Sequence, residues 1–246
     1  MVKISVITTC LNSENTIEKT ILSVIKNGYE NTEHIIIDAG SSDSTLNIIK
    51  KYKHLVPFVN SGISIPAAWN FGISVASGDV IYILNADDFV DEDVFLKVNN
   101  ELRSLDNLSI LFGNVRIINK NGLTLREFIG SLPTKLNLYK GIPFLHPSVF
   151  VPKSVYKKIG LFDEGYSVGF DSDWLLRAYS SGVKFIKLEI WISMTAGGLS
   201  ENKSLVGFGE YIHTLRKYSL GEFLIVMALL NKAAVIFKRL IFHTIN

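Results

Sequence analysis

Three short runs of β-branched residues, Ile4 to Thr9, Ile35-Ile36-Ile37 and Val80 to Leu84, each end in a polar loop, and segments of helical period stand between them. No other feature restricts the fold as strongly. A short, fully apolar run is a strand buried on both faces, and such strands belong to sheets covered by helices. After the first run, Ile17, Ile21, Val24 and Ile25 recur at helical spacing. Ser42-Asp43-Ser44 offers capping side chains ahead of Leu46, Ile48 and Ile49. A short run at Phe58-Val59 leads to a helix near Ala67 to Ala76, and Glu92 to Leu102 is helical with Phe95, Val98 and Leu102 on one face. The alternation predicts βαβ units, a mostly parallel sheet and an α/β fold. Such a sheet binds ligands at the carboxyl ends of its strands.

The second half reads differently. Ile110 to Ile118 and Leu123 to Phe128, joined through Asn121-Gly122, predict a hairpin. Residues 130–150 hold Pro133, Pro143 and Pro147 and are expected to be a loop-rich segment over a site. Asp171 to Ser181 reads as a helix and Val183 to Ile192 as a strand. A strongly apolar tail starts near Leu220, so the expected division is a domain over 1–219 and a tail over 220–246.

Composition narrows the function. The 246 residues suit one domain with a short appendage, and 25 Lys plus Arg against 23 Asp plus Glu leave a net charge of +2. A nucleic-acid binder is usually far more basic. One cysteine, Cys10, excludes a disulfide framework and a Cys-rich zinc site. The N-terminus has no signal-peptide core, which predicts a cytoplasmic protein.

If the sheet is parallel, the three polar loops share one edge and bring Asp38, Asp87 and Asp88 to one crevice. Mg²⁺ is typically held by one or two carboxylates plus substrate phosphates, which suits this grouping. The competing reading is that Asp87-Asp88 caps the next helix, but it leaves the two companion loops unexplained.

Four segments together resemble family 2 glycosyltransferases of the GT-A fold, of the kind acting in bacterial surface polysaccharide synthesis. Ile37-Asp38-Ala39-Gly40-Ser41-Ser42-Asp43-Ser44-Thr45 is similar to the family's Asp-Gly-Ser-x-Asp-x-Thr stretch. Asn70-Phe71-Gly72 with Ala76-Ser77-Gly78-Asp79 resembles its Asn-x-Gly and Ala-x-Gly-(Asp/Glu) segment. Asn85-Ala86-Asp87-Asp88 stands where the metal-binding Asp-x-Asp would be, and Phe170-Asp171-Ser172-Asp173-Trp174 resembles Glu-Asp-x-Asp-Leu. His146-Pro147-Ser148, Gly160 to Glu164 and Gly197-Gly198-Leu199-Ser200 extend the likeness to about residue 200.

The resemblance implies a Rossmann-like nucleotide-binding half over about 1–105, an acceptor half over about 106–219 and C-terminal helices. It implies nucleotide contacts at Thr8, Thr9, Leu11, Asn12, Asp38, Ser41, Asn70, Asn85, Ala86 and Asp87, with Mg²⁺ or Mn²⁺ at Asp87, supported by Asp88. Asp171 becomes the catalytic base, with His146 and Asp173 on the acceptor or donor-sugar side. The implied reaction is inverting transfer from a nucleotide-sugar, taken as a UDP-hexose or UDP-N-acetylhexosamine, to a glycan or polyprenyl-linked saccharide. Asn85 for the first motif Asp, Ala39 for a frequent second Asp and Phe170 for Glu depart from the pattern. These departures keep a non-catalytic nucleotide-sugar or glycan-binding subunit as the alternative.

Other features read as structure. Gly165-Tyr166-Ser167-Val168-Gly169 matches a nucleophile elbow but lacks the preceding strand. Arg177 reads as a structural ion-pair partner, and Trp69, Trp174 and Cys10 as core. Asp171 opens a helix, whose dipole is expected to lower its pKa. In the tail, Asn231, Lys232, Lys238, Arg239 and His243 fall within a sector of roughly 140°. That predicts an in-plane amphipathic helix binding the inner membrane face through its cations, with packing on the domain or dimerisation as the alternatives.

Overall fold

A computed structural model describes residues 1–104, 108–198 and 203–243, with side chains to residue 234. Leu199, Ser200 and the side chains of Lys238, Arg239 and His243 lie outside the described residues.

The first half is built as its patterns predict. β1 (Ile4–Cys10), β2 (Thr32–Asp38), β3 (Leu55–Val59) and β4 (Val80–Ile83) are parallel neighbours in the order β3-β2-β1-β4. Between them run α1 (Ile17–Lys26), α2 (Thr45–Ile49) and α3 (Ile65–Val75). α1 buries Ile17, Ile21 and Val24, one turn apart as an amphipathic helix requires. α3 opens with Pro66 in its first turn, and the Ser64 hydroxyl accepts from the Ala67 amide. Two motif glycines have steric reasons. A Cβ on Gly72 would stand 2.5 Å from Cγ2 of Ile7, so only glycine lets α3 lie this close to β1. A Cβ on Gly78 would meet the Ser5 amide nitrogen at 2.8 Å.

The second half departs from a mostly parallel sheet. β5 (Phe89–Val90) precedes α4 (Val94–Leu102), then come β6 (Ser109–Ile118) and β7 (Thr124–Phe128), the predicted hairpin. Pro147 sits in a short 3₁₀ turn, after which β8 (Val149–Pro152), α5 (Lys153–Ile159), α6 (Phe170–Ser180) and β9 (Lys184–Thr195) follow. The segment expected to be loop over a site therefore ends in a strand at the centre of the sheet. Every residue of β8 is buried between β4 and β6, antiparallel to both. Two reversals restore the original direction, so β6 and the β9 parallel to it run the same way as β1, β2 and β4. β5 closes the far edge antiparallel to β9, giving nine strands among the described residues. Because β5 stands between Asp88 and α4, the Asp87-Asp88 pair does not cap that helix.

Both faces are covered. Ile7, Ile37, Trp69, Ile73, Phe112 and Trp174 pack beneath α3 and α6. Val6, Tyr82, Phe95, Val115, Phe150 and Ile192 pack on the α4 side. α7 (Ser204–Lys217) and α8 (Glu222–His243) add a third cluster, in which Leu224, Ile225 and Ala228 meet Leu138, Leu176, Tyr211 and Leu215. No helix among the described residues is long and apolar enough to cross a membrane.

Candidate active site

The shared direction of β1, β2, β4, β6 and β9 sends all their C-terminal ends to one edge. There the loops line an open cleft of about 1440 Å³. Thr9, Leu11 and Asn12 come from the end of β1, Asn85 to Asp87 from the end of β4, and Thr195 to Gly198 from the end of β9. Asn119 to Gly122, the hairpin turn after β6, complete the far wall.

The first two loops clasp each other. Asn12 adopts a left-handed φ of 50°, and its amide donates to Ser41 Oγ at 2.8 Å while its own Oδ1 accepts from the Ser42 amide at 2.9 Å. Asp38 is 1% exposed and spends its oxygens on its own loop. Oδ1 accepts from the Gly40 and Ser41 amides at 2.9 and 2.7 Å, and Oδ2 accepts from the Ser41 hydroxyl at 2.5 Å. Asp38 thus shapes this loop from below and does not line the cleft. Buried Cys10 lies against Asp38 Oδ2, and burial with that carboxylate holds its thiol far above the usual pKa.

The third loop separates two adjacent aspartates. Asp88 is 1% exposed and accepts from the Asn85 amide group at 3.0 Å and from the Thr195 backbone N–H at 3.0 Å. Burial, then the neighbouring Asp87 charge, raise it to about 7. The Asp87 side chain lines the cleft, half-buried, and its carboxylate has no partner from another residue among the described residues, while its backbone carbonyl accepts from the Thr195 hydroxyl at 2.5 Å. Burial raises its pKa too. A partly desolvated carboxylate without a counter-charge is a fitting ligand for a hard cation. Among the described residues no three His, Cys, Asp or Glu side chains gather to hold a metal. A cation there needs oxygens from its substrate, as Mg²⁺ bound to a diphosphate has.

Asp171 lies in the first turn of α6, half-buried, and accepts from the Ser172 amide at 2.6 Å. Contrary to the dipole expectation its pKa is raised, to about 6, because burial outweighs the hydrogen bonds it accepts from Ser172. It does not itself line the cleft. Phe170 beside it packs on Trp69 with ring centroids 4.9 Å apart, and Trp69 Nε1 donates to Thr9 Oγ1 at 3.3 Å, which ties α6 to the cleft rim.

Several expected site residues take other places. Thr8 is fully buried against His34 Nε2 at 2.9 Å, under the sheet edge. Asn70 faces away from the cleft: its Oδ1 accepts from Phe162 N at 2.9 Å, and its Nδ2 donates to Phe162 O at 3.0 Å and Glu164 Oε1 at 2.9 Å. It fastens α3 to the loop before α6. Asp173 is wholly buried and accepts from Lys217 Nζ at 3.0 Å and Tyr218 OH at 3.1 Å, so it anchors α7 and does not itself line the cleft. His146 is stacked on Trp69 at 4.6 Å and buried, which lowers its pKa to about 4 and keeps it neutral. Trp69 and Trp174 are core, and Arg177 binds the Ile159 and Leu161 carbonyls at 3.0 and 2.7 Å beside Asp173. Thr195 and the place of the predicted hairpin turn in the cleft wall are not legible in the sequence, since a wall made by distant strand ends leaves no local pattern. The glycines of Gly197-Gly198, by contrast, carried a signal.

In the tail, Asn231 and Lys232 turn towards the domain, with Lys232 Nζ 5.2 Å from the Phe208 ring centre. The outward row is apolar: Phe223, Val226, Leu229 and Leu230. The polar face predicted to meet headgroups is therefore, in its described part, the face that meets the protein.

Comparison with known proteins gives a consistent kinship. Residues 5–160 match glycosyl transferase family 2. Poly-beta-1,6-N-acetyl-D-glucosamine synthase of Staphylococcus epidermidis is 29% identical over 238 residues, covering 87% of this chain and 56% of the relative. The synthase of that name from Staphylococcus aureus strain MSSA476 is 30% identical over 234 residues, covering 85% and 55%. The chain thus spans about half the length of these curated relatives. Residues 1–349 of S. aureus TarS, solved in complex with UDP-GlcNAc, share the fold with a TM-score of 0.68 at 20% identity, over 89% of this chain and 66% of that one.

Proposed function

The chain belongs to glycosyl transferase family 2, with the GT-A fold, and we propose that it moves a sugar, with inversion, from a UDP-sugar to a hydroxyl of a glycan or polyprenyl-linked saccharide in surface polysaccharide synthesis. The observation that carries this reading is Asp87, an uncompensated carboxylate at the floor of a cleft sized for a nucleotide-sugar. The relatives' names and the UDP-GlcNAc in the TarS structure favour UDP-N-acetylglucosamine among donors.

In this reading the nucleotide lies along Thr9, Leu11 and Asn12, with its diphosphate towards Asn85, Ala86 and Asp87. Ser41 and Asp38 fix the loop that receives it. Mg²⁺ or Mn²⁺, held by Asp87 and the diphosphate oxygens, would neutralise the departing UDP. Asp171 takes the proton from the acceptor hydroxyl as that oxygen attacks the anomeric carbon from the face opposite the leaving group. A carboxylate raised to about 6 is ionised at neutral pH and is a stronger base than an ordinary one. Residues to about 105 serve the nucleotide, residues from about 106 to 219 the acceptor, and 220–246 form a tail.

We assign the tail to the cytoplasmic membrane surface, through the outward row Phe223, Val226, Leu229 and Leu230. A lipid-linked acceptor would make that location useful. The deciding experiment measures UDP binding by calorimetry with Mn²⁺ and with EDTA, then UDP release across a panel of nucleotide-sugars. Binding that depends on the cation, with turnover strongest for a UDP-sugar, is expected. UDP binding unaffected by EDTA, or turnover confined to GDP- or dTDP-sugars, would overturn the reading.

A further inference from the structure

Outside the cleft, Glu210, midway along α7, has a carboxylate that accepts four hydrogen bonds from one turn. The turn Gly165 to Gly169, which delivers the chain into α6, wraps around it. Glu210 Oε1 accepts from the Ser167 amide and the Ser167 hydroxyl, both at 2.9 Å. Its Oε2 accepts from the Val168 amide at 3.0 Å and the Gly169 amide at 2.6 Å. Successive N–H groups converging at a helix start form an anion nest, and here the anion comes from another helix of the same chain. Burial would raise the Glu210 pKa, but these donors outweigh it and hold the group below the usual range. It is therefore a permanent charge at neutral pH. The residue that follows this nest by two positions is Asp171.

We infer that Glu210 is a positioning residue for transfer: by clamping residues 167–169 it fixes the height and angle at which α6 presents Asp171 to the acceptor. The inference rests on Asp171 being the base. Other charges near the start of α6 balance among themselves. Lys217 meets Asp163 at 3.2 Å and Asp173 at 3.0 Å, and Arg177 lies 3.6 Å from Asp173. His213 stands against Tyr166, and His146 is neutral. No basic side chain pairs with Glu210 among the described residues. Its charge is thus the one that bears on Asp171, adding to burial in raising that carboxyl. Ser167 and the two flanking glycines, which resemble a nucleophile elbow, find their role here: small residues give the turn the curvature to close on a carboxylate.

The test compares wild type, Glu210→Gln, Ser167→Ala and Asp171→Asn, using UDP-N-acetylglucosamine with Mn²⁺ and following UDP release, UDP affinity and amide hydrogen exchange. Glu210→Gln should leave the Kd for UDP within twofold, lower kcat at least tenfold, and move the acid limb of the pH profile downward because a negative neighbour of Asp171 is gone. Exchange at residues 167–169 should quicken. Ser167→Ala removes one donor and no charge, so kcat should fall two- to fivefold with the acid limb in place. This variant keeps the test readable if the glutamine protein folds poorly. Unchanged kcat and acid limb in Glu210→Gln, with Asp171→Asn inactive, would overturn the positioning role alone. Full turnover by Asp171→Asn would instead overturn the base, and the positioning role with it. Unchanged kcat in Ser167→Ala together with unchanged exchange in Glu210→Gln would show that the nest holds nothing in place.

Discussion

The backbone N–H of Thr195, the last residue of β9, donates to the carboxylate of Asp88 at 3.0 Å across 107 positions of sequence. That bond joins the far wall of the cleft to its floor. The other oxygen of Asp88 accepts from the Asn85 side chain at 3.0 Å. The asparagine that replaces the first motif aspartate thus serves as a donor to its neighbour.

Asp88→Asn should therefore be more damaging than its small chemical change suggests. The new amide would set an NH₂ group against that of Asn85, or turn and lose Thr195. A buried donor left unpaired costs about 1–3 kcal/mol. Urea unfolding should show a loss of that size, whereas Asp87→Ala should leave the midpoint nearly unchanged and abolish cation-dependent UDP binding.

Asp171→Asn keeps the shape and the bond from Ser172 but cannot accept a proton. Loss of a general base slows a reaction about 10²–10⁴-fold. Transfer should fall at least about a hundredfold, in line with that range, with UDP affinity unaltered. The same variant should be more stable than wild type at pH 8. With its folded pKa raised from 3.8 to about 6, the ionised carboxyl is disfavoured in the fold. Wild type loses stability as pH rises through that window, and the asparagine does not. Equal melting temperatures at pH 8 would count against the burial of this charge.

Wild-type turnover should rise with pH through about 6 and then level off, as the base becomes ionised. A profile already flat at pH 5 would show that the group in action is another, less buried carboxylate.

The sequence made the first half legible because its signals are local. Buried parallel strands read as unbroken β-branched runs, and α1 advertises its buried stripe at Ile17, Ile21 and Val24. β8 was hidden because four residues after a proline-rich stretch carry no period, and their strand pairing is decided by β4 and β6, far away in sequence. The candidate site was legible as residue types and illegible as directions. Nothing in Asp87-Asp88 says which carboxylate faces the cleft; Thr195 and Asn85 decide it. Asn70 and Asp173 were drawn to the site by motif position, but their partners are the Phe162 loop and Lys217. The sign of the Asp171 shift was missed because the dipole of a first turn is a small, solvent-screened effect, whereas desolvation grows with packing that only the fold supplies.

Gly72→Ala should be among the costlier one-carbon changes in the chain. The added methyl would meet Ile7 Cγ2 at 2.5 Å, with Ile37 Cδ1 at 3.0 Å behind it. Overpacking of this kind costs about 1–3 kcal/mol. The variant should melt earlier than wild type in a calorimetric scan. An unchanged melting temperature would mean that α3 moves off β1 without cost.

For the tail, removing α8 outright would also uncover Leu215 and Tyr211, so truncation mixes anchoring with stability. Replacing Phe223 and Leu230 together by Ser changes only outward side chains. On vesicles containing anionic lipid the double variant should move to the unbound fraction while its melting temperature holds. Unchanged sedimentation with the vesicles would refute the anchor.

The antiparallel seam of β8 also has a bearing on the order of events during synthesis and refolding. β8 follows both of its neighbours in the chain, so the two parts of the sheet cannot be zipped together until residues 149–152 are free to enter. β1, β2 and β3 with their short helices need no such wait, since their contacts are near in sequence and local contacts form fastest. The floor of the cleft at the β1 end is then expected early, and the wall from β6 and β9 last. Pulse-labelled exchange during refolding should protect β1 and β2 amides ahead of those in β6, so that a nascent chain gains the loops after β1 and β2 well before the cleft they line can close.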